Sequence, residues 1–209
     1  MAEPRPADIR QFGPISVRLV HGDLAAVQAE VLVNAANTQL HMGGGVAAAL
    51  RSRGGIEIHQ EAIQHAPAAL GSVVRTGPGK LRVRYVYHAV VIDYDVSKGT
   101  SSSDVGTVMK NVLRRASSDG VKSLGLPLFG AGVGGLSVES SLKTILDEIE
   151  RASRSRAGSL AITIAIRDRE EFDRARVCFR DYSDQDARTR EEADLASDFL
   201  NELRKKRNR

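Results

Sequence analysis

The chain has no tryptophan and a single cysteine, Cys178, in 209 residues. One thiol excludes an internal disulfide framework and a cysteine-based metal site. Long apolar runs are missing too: none approaches the ~20 residues that cross a bilayer, so no membrane contact is expected. The opening Met-Ala-Glu-Pro-Arg-Pro lacks the apolar stretch of a secretory signal, and the expected location is cytoplasmic. No internal repeat is visible. The body of the chain also lacks an excess of charge, although the formal net charge is +4. Five of the last six residues, Arg204, Lys205, Lys206, Arg207 and Arg209, are basic; without them 25 basic side chains face 26 acidic ones. A short basic tail is either a solvated end or a weak, salt-sensitive contact for nucleic acid through residues 204–209.

What is present is enough sequence to bury a full core without disulfides or metals. Three prolines and little periodicity in residues 1–14 read as an extended lead-in. Strands are expected at 15–20, 30–33, 72–75, 85–91, 121–128 and 160–166, where β-branched and apolar residues alternate or run together. Helical patterns cover 46–53, 56–65, 104–118, about 138–151 with Ser137 as N-cap, and 170–180. This alternation implies helices on both faces of a largely parallel sheet, with ligands near the C-terminal ends of strands. Residues 183–209 form a separate charged extension. Within it, 191–205 places Leu195, Phe199 and Leu203 on one face of an amphipathic helix, for packing on its own domain or against a partner.

The most informative stretch is Val31-Leu-Val-Asn-Ala-Ala-Asn-Thr-Gln-Leu-His-Met-Gly-Gly-Gly-Val46. A short apolar strand ends in two amides, Asn34 and Asn37, and a triple-glycine loop then opens a helix. Such a loop brings backbone N–H groups close to an anion at a helix start. A second glycine loop, Gly130-Ala-Gly-Val-Gly-Gly135, also follows a strand and precedes a helix. It matches G-x-G-x-x-G, yet lies past the middle of the chain and lacks the acidic residue expected ~20 positions on at a strand end, which counts against a nicotinamide site. Gly79-Lys80 is followed by Leu81, so no Walker loop is present. Each glycine loop alone could be only a tight turn. Two of them, with asparagines beside one, point to a ligand with phosphates and sugar hydroxyls.

Asn34-Ala-Ala-Asn37, Gly43-Gly-Gly-Val46 and Pro127-x-x-Gly130-Ala-Gly-Val-Gly134, preceded by Gly22-Asp23, together resemble the macro domain. The resemblance covers about 15–182. It implies an α/β fold, a three-layer α/β/α sandwich around a central mixed, mostly parallel sheet, and binding of ADP-ribose or an ADP-ribosylated protein. On the matched positions, Asp23 would accept from the adenine amine with the Leu24 backbone beside it, although an Asx-turn after Gly22 is the alternative. Asn37 would bond the distal ribose, while Asn34 would tie loops through backbone contacts. Gly43, Gly44, Gly45 and Val46 would offer N–H groups to a phosphate and the distal ribose. Gly130, Ala131, Gly132, Val133 and Gly134 would wrap the diphosphate.

Many members hydrolyse ADP-ribosyl esters or O-acetyl-ADP-ribose, and for this chain that would mean a water positioned by Asn37 and a substrate phosphate. Neither a metal nor any other cofactor is implied. Three positions depart from common family patterns: Ala47 where an active branch has Asp, Met42 where some have His, and Gly134 where an aromatic often shields the ribose. His41, one residue early, reads as a solvent-facing loop residue. Arg167 falls where relatives stack an aromatic on adenine, so its guanidinium would stack there or stand in solvent. His88 lies in an apolar strand pattern, in the core or near the site. The sequence therefore leaves a hydrolase, an ADP-ribose-binding module without turnover, and an RNA- or poly(A)-associated protein as competing readings.

Overall fold

Seven strands form one sheet: β1 (Ile9–Phe12), β2 (Ile15–His21), β3 (Val31–Asn37), β4 (Val73–Thr76), β5 (Tyr85–Ile92), β6 (Ser123–Leu126) and β7 (Leu160–Ile166). The helices are α1 (Gly45–Gly54), α2 (Ile56–Ile63), α3 (Ser102–Ser118), α4 (Val138–Ser153) and α5 (Arg169–Asp181), with a 3-10 turn at Leu24–Ala26. The computed structural model describes residues 8–93 and 99–182. The sequence-expected helix over 191–205 and the basic tail lie outside these residues.

The sheet order is β1-β2-β7-β6-β3-β5-β4. The five inner strands run parallel, and β1 and β4 pair antiparallel at the two edges. The fold is thus α/β with a mixed, mostly parallel sheet. The inner strands are apolar on both faces, as a sheet covered on both sides requires. Helices α3, α4 and α5 cover one face: Val31, Val33, Leu124, Ile162 and Ile164 pack with Val108, Val112, Leu142, Ile145 and Phe179. Helices α1 and α2 cover the other, where Leu32, Val86 and Ala165 meet Leu50 and Ile58. Consecutive residues of β3 serve opposite faces, the period of two that a pleated strand imposes.

Part of the expected lead-in is not a lead-in. Residues 9–12 form β1, turned back onto β2 through Gly13-Pro14, with Phe12 opposite Ile15. Gly13 has φ +49°, as the first central residue of a two-residue hairpin turn requires, and Pro14 fixes the second. Arg176 pairs with Asp8 at 2.6 Å and the Arg10 guanidinium lies over Phe179 and Tyr182, fastening this edge to α5.

The register between β3 and β6 positions the site. They pair only at Val31–Leu124 and Leu32–Gly125, and β6 ends one residue before Pro127. Past Leu32 the C-terminal halves of the two strands have no pairing to hold them together. The chain leaves β3 for β5 on one side and returns through α3 to β6 on the other, a topological switch point where crevices open.

Candidate functional site

A cleft of about 710 Å3 opens at this switch point, within the ~300–1,000 Å3 usual for small-molecule sites. Its walls include Ala35 and Asn37 from the end of β3, Gly43 to Ala47 from the first glycine loop, and Gly130 to Gly134 from the second. Ala165 to Asp168, at the end of β7, complete it together with Glu171. The structure brings the two loops, 85 residues apart in sequence, to opposite sides of one opening.

Asn37 shapes the first loop. Its Nδ2 donates to the His41 carbonyl at 2.9 Å and its Oδ1 accepts from the His41 N–H at 3.1 Å. Leu40 between them is buried with φ +56°, a left-handed conformation uncommon outside glycine and typical of sites that hold strain. Helix α1 starts directly after this turn. Its N-cap, Gly44, offers no side-chain bond, whereas Ser101, Ser137 and Asp168 cap α3, α4 and α5 with side-chain oxygens. The uncapped N–H groups and the positive end of the helix therefore face the cleft, a ready anion site. A Cβ built on Gly43 or Gly44 would meet nothing within 4 Å. Protein packing does not demand glycine there; an occupant of the cleft would.

The second loop is tight for a different reason. Gly134 accepts at its carbonyl from Thr100 N–H at 2.9 Å, and Gly130 accepts from Leu136 N–H at 3.0 Å. A Cβ on Gly134 would lie 2.5 Å from Thr100 Oγ1 and 2.7 Å from the Gly130 carbonyl. A side chain at this position would therefore collide with Thr100 and with the loop's own backbone. Val133 at the loop tip is 77% exposed, an apolar rim beside the opening.

Three residues singled out in the sequence, Asp23, Leu24 and Asn34, fall elsewhere or serve differently. Asp23 and Leu24 lie outside the cleft wall. The Asp23 carboxylate accepts from Ala25 N–H at 2.9 Å as cap of the 3-10 turn and pairs with Arg53 at 2.8 Å. Leu24 is buried beneath it. The preceding Gly22 donates to the carbonyl of Ile166, which does line the cleft. Asn34 does not tie loops through backbone contacts: it is buried and its Nδ2 lies 3.2 Å from His88 Nδ1. Its contact is with the imidazole on the neighbouring strand β5, whereas Asn37 bonds the backbone of His41. Arg167 lines the cleft with an exposed side chain.

Behind the cleft runs a buried polar chain. Asn34 donates to His88 Nδ1, which leaves His88 Nε2–H to donate to Thr76 Oγ1 at 3.1 Å, and the Thr76 hydroxyl donates to the Gly77 carbonyl at 3.1 Å. Burial, reinforced by the charges of His59 and His65, pushes the His88 imidazole down to about 4. His88 is thus a neutral structural group. His41, in contrast, lines the cleft, and its ring lies 5.9 Å from that of His59. The sequence signals did not single out Ile92, Leu128, Asp168 or Glu171 as cleft residues, and gave Pro127 only as part of the second-loop motif. Ile92, Pro127, Leu128 and Asp168 all lie within two residues of the ends of β5, β6 and β7, a position that could have flagged them. Among the described residues, no group of His, Cys, Asp and Glu is arranged to hold a metal ion, and no helix is long and apolar enough to cross a membrane.

The sequence profile of the Macro domain matches residues 33–145, more than half of the chain. An uncharacterized protein of Mycobacterium tuberculosis is 33% identical over 162 residues, an alignment covering 76% of this chain and 44% of that protein. The chain therefore spans less than half the length of this relative. Among solved structures, the Oceanobacillus iheyensis macrodomain with ADP superposes with a TM-score of 0.74 at 19% identity, covering 81% of this chain and 93% of that one. The Trypanosoma brucei macrodomain in complex with ADP-ribose gives 0.69 at 23% identity, covering 78% and 68%.

Proposed function

Because the chain belongs to the Macro domain family, we propose that its cleft binds ADP-ribose and hydrolyses ADP-ribosyl esters, on protein side chains or in O-acetyl-ADP-ribose. The observation that carries the binding is the first loop: glycines with no packing reason to be glycine, leading into a helix start with no side-chain cap. The diphosphate sits between this helix start and the Gly130–Gly134 loop, and backbone dipoles supply the attraction without a cluster of lysines. The distal ribose lies toward Asn37 and His41, the adenine toward Arg167 and the Gly22-Asp23 side. The solved macrodomains with ADP and in complex with ADP-ribose support the ligand class.

Turnover would come from positioning. Asn37, braced by two hydrogen bonds, keeps one amide hydrogen and one oxygen lone pair for the ribose or for a water. That water attacks the ester carbonyl, and the ribose hydroxyl leaves with a proton returned from the water. A second reading is a binding module without turnover. It is favoured by Ala47, which is 7% exposed against Leu50 and Ile58 and brings no carboxylate to the reacting end. Incubation with a glutamate-linked mono-ADP-ribosylated protein separates the two. Release of ADP-ribose supports the hydrolase; persistence of the label at high enzyme concentration, with ADP-ribose still binding by calorimetry, leaves the binding module.

A further inference from the structure

A second cavity of about 800 Å3 lies between the C-terminal halves of α3 and α4, at the edge of the sheet opposite the cleft. Lys110, Arg114, Arg151 and Arg156 line it, with Glu148 as the one carboxylate. Arg151 is tied to Glu148 at 2.5 Å. Arg156 has no carboxylate partner among the described residues. Its guanidinium donates to Ser117 Oγ at 2.7 Å and toward the Val121 carbonyl at 3.3 Å, and its buried Nε has no partner. Lys110 and Arg114 are exposed on adjacent turns of α3; Lys110 lies close enough to Glu148 to favour its charged form, and Arg114 has no ion-pair partner among the described residues. Basic residues in the last turn of a helix commonly just complement its dipole. That explains Arg151, but not Lys110, well inside α3, or Arg156, beyond the end of α4.

The cationic character continues along the same edge of the sheet. Arg115 and Arg75 share Asp119 at 3.0 and 3.1 Å. Arg75 lies over the Tyr85 ring at 4.6 Å, with Arg84, itself paired with Glu30 at 3.2 Å, on the same ring at 5.4 Å. From β6 to β4 this row crosses three strand spacings, about 14 Å, which is longer than one phosphate group. A row of cations leading out of a concave groove suits a flexible chain of evenly spaced phosphates better than a single anion.

We propose that the α3/α4 groove and the adjoining strand edge dock the phosphate backbone of a single-stranded nucleic acid. The ligand enters as an extended strand, with phosphates on Lys110, Arg114 and Arg156, whose planar guanidinium matches phosphate geometry. A rigid duplex cannot follow the concave groove. This site is separate from the cleft and uses none of residues 204–209, and it does not rest on the ADP-ribose reading.

Fluorescence anisotropy of a labelled oligouridylate with the full chain, over a salt series, tests it. Each single-strand phosphate contact contributes about 0.7 to the slope of log affinity against log salt. The exposed double variant Lys110→Gln/Arg114→Gln should lower that slope by about 1.4. A variant with Arg204, Lys205, Lys206, Arg207 and Arg209 all changed to Ser should keep most of it. Melting curves and an ADP-ribose titration verify folding; should the double variant not fold, Arg114→Gln alone is read, with a drop of about 0.7. The proposal is overturned by no binding at low salt, by an unchanged slope in the groove variant, or by loss of binding in the tail variant alone. Equal affinity for a duplex, or equal displacement by polyglutamate, overturns it as well.

Discussion

Both ends of the Asn37 amide are bonded to the backbone of His41, Nδ2 to the carbonyl at 2.9 Å and Oδ1 from the N–H at 3.1 Å. One side chain thus closes the turn that launches the triple-glycine loop and the uncapped start of α1. Shape and chemistry at the distal end of the cleft depend on the same residue.

Replacing Asn37 by Ala removes two neutral hydrogen bonds of about 1 kcal/mol each. The expected result is a lowered melting temperature together with at least a tenfold loss of ADP-ribose affinity by calorimetry. A lowered melting temperature with unchanged affinity would restrict Asn37 to bracing the loop, and the ribose contact would be withdrawn.

The two glycine loops answer differently to one methyl group. Gly134→Ala drives a Cβ to 2.5 Å from Thr100 Oγ1 and 2.7 Å from the Gly130 carbonyl, so a destabilisation of about 1–3 kcal/mol is expected. Gly43→Ala meets no protein atom within 4 Å and should leave stability within about 0.5 kcal/mol of the parent. Its ADP-ribose affinity should nevertheless fall, because the methyl occupies ligand space. Paired melting and titration experiments check this, and an unaltered affinity in Gly43→Ala would remove the phosphate from that loop.

Much of this architecture was legible from periodicity. The expected strand at 160–166 and the Ser137 cap of α4 coincide with the observed elements, because long apolar alternation and a side-chain cap are local signals. The edge strand β1 was hidden by prolines, although Gly13-Pro14 is itself hairpin chemistry. Helix α3 begins at Ser102 rather than Asp104, because Ser101 and Asp104 form a reciprocal capping box. At the site, the glycine loops and Asn37 were visible as motifs, whereas the buried place of Asn34 against His88 was not read from the sequence. The Asp23–Arg53 pair and the Thr100 brace were not visible, since both join segments distant in sequence.

The Asp23 carboxylate is already held by Arg53 at 2.8 Å and by Ala25 N–H at 2.9 Å. A contact with the adenine amine would use a remaining lone pair, so the preference for adenine should be modest. The parent chain is expected to bind ADP-ribose more tightly than its inosine analogue, by ~1 kcal/mol or about fivefold. Asp23→Ala should bring the two affinities together. Equal affinities in the parent chain would assign Asp23 to the 3-10 turn alone.

Acid should destabilise the fold through His88. Its imidazole ionises at about 4 in the folded chain and near ~6.5 when unfolded, so the unfolded chain takes up the proton first as pH falls. Stability is therefore complete above pH ~6.5 and is lost between there and pH 4, by at most about 3 kcal/mol. Protonation would place an Nδ1–H against the Asn34 amide nitrogen, donor facing donor. Denaturant melts at several pH values should show this slope in the parent chain. In His88→Gln, less stable at neutral pH but without a titrating ring, the slope over that window should be shallower. A parent slope that survives the substitution unchanged would place the acid sensitivity in the carboxylates instead.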